Sequence, residues 1–185
     1  MTTDQTITAN GLTPRQQFLS DLWDEHLQHE FVHHDTEDAL DTMIPRAHVN
    51  HVPVITGGRN RAELRQFYST WFIPTLPPDM EMVEVSRTVG ADSLAFEFVA
   101  TFTHTTDLVW MLPGVPPTGK RVELAAVGIV QFDGDKIASE QLYWDQASVL
   151  VQIGLLDRDR LPVVGEEAAR KVLDPSLPSN ELIPG

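Results

Sequence analysis

Apolar residues at helical spacing open the chain: Phe18, Leu19, Leu22, Trp23, Leu27 and Phe31 recur three and four apart after Thr13-Pro14. That period predicts an amphipathic helix from Thr13 to about His34, with Pro14 in the first turn, where its missing N–H costs nothing. Asp35 and Thr36 interrupt the pattern, and "EDALDTMI" predicts a short second helix that stops before Pro45. In "HVNHVPVI" the apolar positions alternate instead, which predicts a strand closed by Gly57-Gly58. "NRAELRQFYSTWF" returns to helical spacing until Pro74 and the "LPPD" turn. Four long strands follow, "MEMVEVSRTV", "SLAFEFVATFTHT", "RVELAAVGIVQF" and "KIASEQLYWDQ", the last two joined by the hairpin signal Asp133-Gly134. The loop "DLVWMLPGVPPTG" separates His104 from the third of these strands. "ASVLVQIGLL" reads as a terminal helix capped by Gly154, and "GEEAARKVL" as one more.

This order predicts an α+β fold, with a curved mixed or antiparallel sheet wrapped around the N-terminal helices and a conical pocket between the layers. One domain is expected over residues 13–173, with 1–12 and 174–185 as flexible termini.

Composition narrows the partners. With 42% hydrophobic and 22% charged residues the 185-residue chain is an ordinary globular protein, and no apolar run reaches the length of a membrane span. A net charge of −14, with the thirteen Lys and Arg scattered, argues against nucleic acid. The absence of cysteine removes disulfides and thiolate chemistry and fits a cytoplasmic location. "MTTDQTITANG" has neither a basic nor an apolar segment, so no signal peptide is expected. A small neutral or weakly charged molecule is the expected partner.

The stretch "HEFVH" reads letter for letter as a zinc-protease signature, with His29 and His33 one helical turn apart and Glu30 beside them. The rest of that signature is missing. Thr36 and Ala39 stand where the extended form needs Gly and His, and no glutamate sits in a matching second helix, because the chain turns to strand after Pro45. His51 qualifies as a third ligand by residue type alone. No metal is therefore expected. The helical wheel draws attention elsewhere: Glu30 falls near the middle of the apolar arc, with His26 and His34 on either side of it. Polar groups on a buried face must be paired or must line a pocket.

From about Asp35 to Leu156 the pieces "VNHVP", Gly58, "FTHTTD…LPGVPPTGK" and "DGDKIASEQLYWDQASVLVQIGLL" resemble the SnoaL-like polyketide cyclase branch of the nuclear transport factor 2-like superfamily. The most specific are "PPTGK" and Asp145 placed seven residues before Gln152-Ile153-Gly154. The resemblance implies the cone-shaped fold of that superfamily, homodimers, and a cofactor-independent cyclase or isomerase acting on a hydrophobic, carbonyl-bearing small molecule. It maps the family's acid/base Asp onto Asp145 and a facing His onto His104. Gln141 stands where the family often has Trp, while Trp144 adjoins the Asp.

Strand alternation places Ile137, Ser139, Gln141, Tyr143 and Asp145 on one face. A carboxylate at the end of an apolar wall would have a raised pKa and could move a proton next to a carbonyl, with His104 and Tyr143 polarising that carbonyl. The expected catalytic set is thus Asp145, His104 and Tyr143; His51, His26, Glu30, Gln141, Trp110 and Trp144 would contact substrate. Each has a plainer reading. Asp145 is a favoured cap for the helix that follows, and His104 can bond loop backbone. Trp110, with Met111 and Leu112, belongs equally to a lid or to a dimer contact. Two further functions stay open. Epoxide or lactone hydrolysis would be signalled by an arginine, Arg121 being the candidate, against Asp145. A non-catalytic binding domain would have a filled pocket and Asp145 bonded only to helix amides.

Overall fold

The computed structural model describes residues 11–183. The first helix, α1 (Pro14–Gln28), starts with a reciprocal capping box between Thr13 and Gln16 and continues as one wider π-type turn over His29–His33. His34 then adopts the left-handed conformation at φ 55° and turns the chain. The second helix, α2 (Thr36–Asp41), is shorter than the sequence pattern predicts. The Thr42 hydroxyl donates to Ala39 O, and Pro45 biases Ile44 toward extended backbone, so Met43 already opens a strand.

That strand, β1 (Met43–His51), and the short β2 (Thr56–Gly58) form a hairpin, and residues 52–55, expected to prolong β1, make its turn. Ile55 takes φ 54° there, a conformation L residues adopt only at a cost. Gly57, at φ 138°, lets β2 approach closely, since a Cβ would lie 2.0 Å from Val49 O. Helix α3 (Arg61–Gln66) extends through a wide π-type segment, Phe67–Phe72, and buries Leu64, Phe67, Tyr68 and Phe72. The strands β3 (Glu81–Val89), β4 (Ser93–Thr103), β5 (Arg121–Asp133) and β6 (Lys136–Trp144) follow, then α4 (Gln146–Gln152) and α5 (Glu167–Leu173).

The six strands make one sheet in the order β2-β1-β6-β5-β4-β3. All neighbours are antiparallel except β1 and β6, which run parallel, so the mixed α+β layout holds. On the concave face α1 and α3 pack through fully buried Leu19, Trp23, Leu64 and Tyr68. Trp23 is sandwiched between His26, stacked at 5.4 Å, and Phe96 at 5.0 Å. Gly128 makes this possible: a Cβ there would stand 2.0 Å from the Phe96 ring, which crosses β5 at that point. Arg87 joins β3 to α1 through Asp24 and the Ser20 hydroxyl.

One irregularity reorganises β6. Gln131 pairs with Ser139 but Phe132 pairs with Ile137, leaving Ala138 as an extra, bulged residue. Beyond it the alternation is inverted: Glu140, Leu142 and Trp144 face the concave side, and Gln141 and Tyr143 face outward.

Residues 174–183 lie in turns beyond α5, where Lys171 donates to the carbonyls of Pro175 and Leu177. The rest of the expected flexible termini, residues 1–10 and 184–185, lies outside the described residues. No helix among the described residues is long and apolar enough to cross a membrane.

Candidate active site

The concave sheet face and the helices do not close completely. The hollow between them is lined by Leu27, Glu30 and Phe31 of the first helix, His51 of β1, Phe96 and Phe98 of β4, and Glu140, Leu142 and Trp144 of β6. Met80, Met82, Trp110 and Met111 also line it. About 580 Å³ is free of protein atoms, mouth included. The hollow is a slot between the two layers, and its methionines can shift to admit a ligand.

The polar end of the slot is a buried cluster. His26 Nε2 lies 3.0 Å from Glu30 Oε1 and 4.0 Å from Glu140 Oε2, and all three side chains are shut off from bulk water. The geometry on the far side of the imidazole locates its proton. The single hydroxyl proton of Thr42 goes to Ala39 O at 2.6 Å, so Thr42 can only accept from His26 Nδ1, 2.7 Å away. Nδ1 thus carries a proton, and Nε2 must either bear a second or share one with Glu30. Nε2 meets Glu30 closely but off the line of an N–H hydrogen bond, as an ion-pair contact.

Electrostatics agree with that proton count. Burial opposes charge on His26, but Glu30 beside it, then Glu140 and the Ala39 carbonyl, outweigh burial and raise its pKa. Burial, reinforced by the charge of Glu30 and opposed by His26, pushes Glu140 up to about 8, so it is mostly a neutral acid at pH 7. Tyr68 is buried beside the cluster, and desolvation with the two glutamates raises its hydroxyl well above the usual value.

His51 stands on a different wall, surrounded by the rings of Phe67, Phe72, Trp110 and Trp144. Burial brings its pKa down to about 4, so the ring is neutral. Its Nδ1 lies 3.2 Å from Thr56 Oγ1, whose proton goes to Trp110 O at 2.6 Å.

The slot thus brings together Glu30, His51, Trp110 and Trp144 of the residues expected to contact substrate, with His26 directly behind Glu30. It does not include the expected catalytic set. Asp145 is exposed and caps α4, accepting from Ala147 N–H at 2.9 Å. Tyr143 and Gln141 are turned outward by the Ala138 bulge, where the Tyr143 hydroxyl donates to Gln141 Oε1 at 3.4 Å. His104 is buried at the end of β4 but serves the loop: its Nδ1 accepts from Thr118 N–H and lies 3.1 Å from Thr118 Oγ1. Desolvation lowers its pKa.

These residues position the site indirectly. Asp145 starts the helix that carries Gln146, and Gln146 accepts from Trp144 Nε1 at 2.6 Å and donates to Met111 O at 2.9 Å. Trp144 and the loop bearing Trp110 and Met111 are thereby held over the slot. Among the described residues no arginine bonds Asp145, and none lines the slot.

Sequence reasoning missed Glu140 and Tyr68. Alternation counted from Ile137 sends Glu140 outward, and only the bulge returns it. Tyr68 belonged to a plainly apolar helix face, and nothing in its spacing distinguishes it from core.

Among the described residues, those able to hold a metal are His26, Glu30 and Glu140, whose donor atoms lie within 4.8 Å of one another. They are not the pair that "HEFVH" suggests. His29 and His33 lie with their Nδ1 atoms 3.4 Å apart, and His33 is exposed, while Glu30 is buried in the slot wall.

The sequence profile of a family described as SnoaL-like polyketide cyclase matches residues 15–153. Comparison with curated proteins finds no match. Among solved structures, AclR from Streptomyces galilaeus is 19% identical, with 77% of this chain and 88% of that chain covered at a TM-score of 0.58. A protein from Jannaschia sp. CCS1 described as a SnoaL-like polyketide cyclase is 16% identical, covering 78% and 97% at 0.59. TsrD from Streptomyces laurentii is 16% identical, covering 76% and 98% at 0.60. At these identities the structures share the fold.

Proposed function

The chain belongs to the SnoaL-like polyketide cyclase family, and from that membership and the slot we propose a cyclase- or isomerase-type enzyme whose proton chemistry is carried by Glu30 and Glu140 rather than by Asp145. The observation that carries this reading is the buried His26–Glu30–Glu140 cluster at the polar end of an otherwise apolar slot. The substrate is a small, flat, largely apolar molecule with a carbonyl group.

Glu140, held neutral, donates a hydrogen bond to the substrate carbonyl oxygen and stabilises the charge that develops there. Glu30, paired with His26, removes the proton from the adjacent carbon. Return of that proton to another carbon gives isomerisation. In cyclisation the enolate carbon instead attacks a second carbonyl of the same molecule. A C–C bond forms, the second carbonyl's π pair becomes an alkoxide, and Glu30 returns the proton to that oxygen. Burial of the cluster keeps bulk water away from the enolate. Apolar Val83, Val127 and Tyr143, exposed on the convex sheet face, support pairing of two copies.

The experiment needs no knowledge of the natural substrate. 1-Tetralone, a flat bicyclic ketone, is incubated with the protein in D2O, and loss of its α-proton signal is followed by NMR. Wild type is expected to catalyse the exchange, and Glu30→Gln or Glu140→Gln to slow it about 10²–10⁴-fold while circular dichroism stays unchanged. Undiminished exchange in both variants, or none with wild type, removes the assignment.

A further inference from the structure

We infer that His51 is a specificity-determining residue that requires a hydroxyl hydrogen-bond donor on the ligand, on the side of the slot away from the carbonyl. The inference rests on the slot being the ligand site and adds a second anchoring point to it.

The argument begins with one proton. The Thr56 hydroxyl has a single hydrogen, and it is committed to Trp110 O at 2.6 Å. Toward His51 Nδ1, 3.2 Å away, Thr56 Oγ1 can therefore only accept, so the ring proton sits on Nδ1. A neutral imidazole protonated at Nδ1 has a lone pair on Nε2, and burial of the ring favours the neutral form.

The direction of that lone pair is fixed. Trp110 at 5.3 Å, Phe67 at 5.5 Å, Trp144 at 5.6 Å and Phe72 at 5.8 Å surround the ring. Rotating it would break the bond to Thr56 and drive it into these neighbours. His51 lines the slot; the Trp110 carbonyl, a further acceptor for the ring, lies against Thr56 Oγ1 on the Nδ1 side, and among the described residues no hydrogen bond reaches Nε2, which is not sealed from the surface. The lone pair thus opens on the slot from an aromatic wall. A ligand that leaves it unmatched loses the water it displaces and gains nothing in return; a ligand with a hydroxyl satisfies it. Sites built to hydrogen-bond a hydroxyl reject the analogue lacking it far more strongly than an apolar pocket rejects a missing methylene.

The chemical class follows from placing the two anchors in one narrow slot. Neutral Glu140 offers a donor to a carbonyl, and His51 offers an acceptor to a hydroxyl. A flat molecule bearing both, a phenolic or enolic carbonyl compound, is complementary; the corresponding ether or deoxy compound is not.

The test uses 6-hydroxy-2-naphthaldehyde and 6-methoxy-2-naphthaldehyde, bicyclic carbonyl compounds that differ only in whether the second oxygen can donate. Their Kd values are measured by calorimetry at pH 6.5 with wild type, His51→Leu and Thr56→Val. The hydroxy compound is expected to bind wild type at least tenfold more tightly than its ether. That ratio should fall to near one in His51→Leu, which removes the acceptor. In Thr56→Val, which frees the tautomer, it should shrink without the ether binding more weakly. Equal affinities in wild type, or a ratio that survives His51→Leu, overturn the inference while leaving the slot as the ligand site. Failure of both compounds to bind wild type overturns the inference and the slot together.

Discussion

His26 and Glu30 stand one helical turn apart on the buried face of the first helix, with Nε2 and Oε1 separated by 3.0 Å. Two glutamates and an imidazole in an apolar slot are tolerable because two protons balance them, one between His26 and Glu30 and one on Glu140. Removing one partner strands a charge. His26→Leu is expected to cost about 3–5 kcal/mol, and His26→Leu with Glu30→Leu to cost less than the single change. Urea unfolding of the three proteins checks the order; a double variant less stable than the single one contradicts the pairing.

Glu140 makes stability depend on pH in a definite direction. Its folded pKa of about 8 lies above the usual 4.5, so the folded state holds more protons between these values and loses stability as pH rises through that window. Glu140→Gln lacks this dependence. The difference in Tm, variant minus wild type, is expected to grow from pH 5 to pH 8.5 in calorimetry.

His51 acts with the opposite sign. Its folded pKa of about 4 lies below the usual 6.5, so the stability tied to the neutral ring is present above pH 6.5 and is lost as pH falls toward 4. The Tm advantage of wild type over His51→Leu should shrink across that interval, and a constant advantage would speak against a buried neutral ring.

Asp145 is expected to behave as a cap. Asp145→Ala should cost about 1 kcal/mol and Asp145→Asn much less, because Asn caps as well as Asp. Tetralone exchange by Asp145→Asn should match wild type. A large loss of exchange in a folded Asp145→Asn protein would restore it to the chemistry.

Ile55 occupies the left-handed region in the turn that leads into Thr56. Since that conformation costs an L residue about 1–2 kcal/mol, Ile55→Gly is expected to recover part of it, offset by the greater freedom of the unfolded chain. Thermal denaturation should show Tm unchanged or raised; a marked fall would mean that the exposed side chain does something else.

Much of this architecture was legible in the chain because its determinants are local. Leu19, Leu22 and Trp23 announce the buried stripe of α1, and Asp133-Gly134 announces the last hairpin. His26 and Glu30 could be singled out for the same reason: they break an apolar stripe whose period is plain. His51 could be paired only with a choice, since His48 lies on the opposite face of the same strand. What could not be read is non-local or hidden in the register. The parallel pairing of β1 with β6 joins segments some ninety residues apart. The Ala138 bulge has no signature such as glycine, so counting by twos along β6 assigned the wrong face to every residue after it. The inversion turns Gln141 and Tyr143 away from the slot and brings Glu140 into it, whereas Asp145 was singled out by the resemblance and not by alternation.

That lone extra residue also says how this scaffold can change its chemistry. The same letters threaded without the bulge, with Ala138 taking the place of Ser139 opposite Gln131, would rotate the outer half of β6 by half a turn and present an amide and a phenol, Gln141 and Tyr143, where an acid now stands, with no substitution anywhere. Kin whose letters line up column by column can therefore display different reactive groups to their ligands, and which residue stands opposite Gln131 is worth more to a functional assignment than many differences elsewhere.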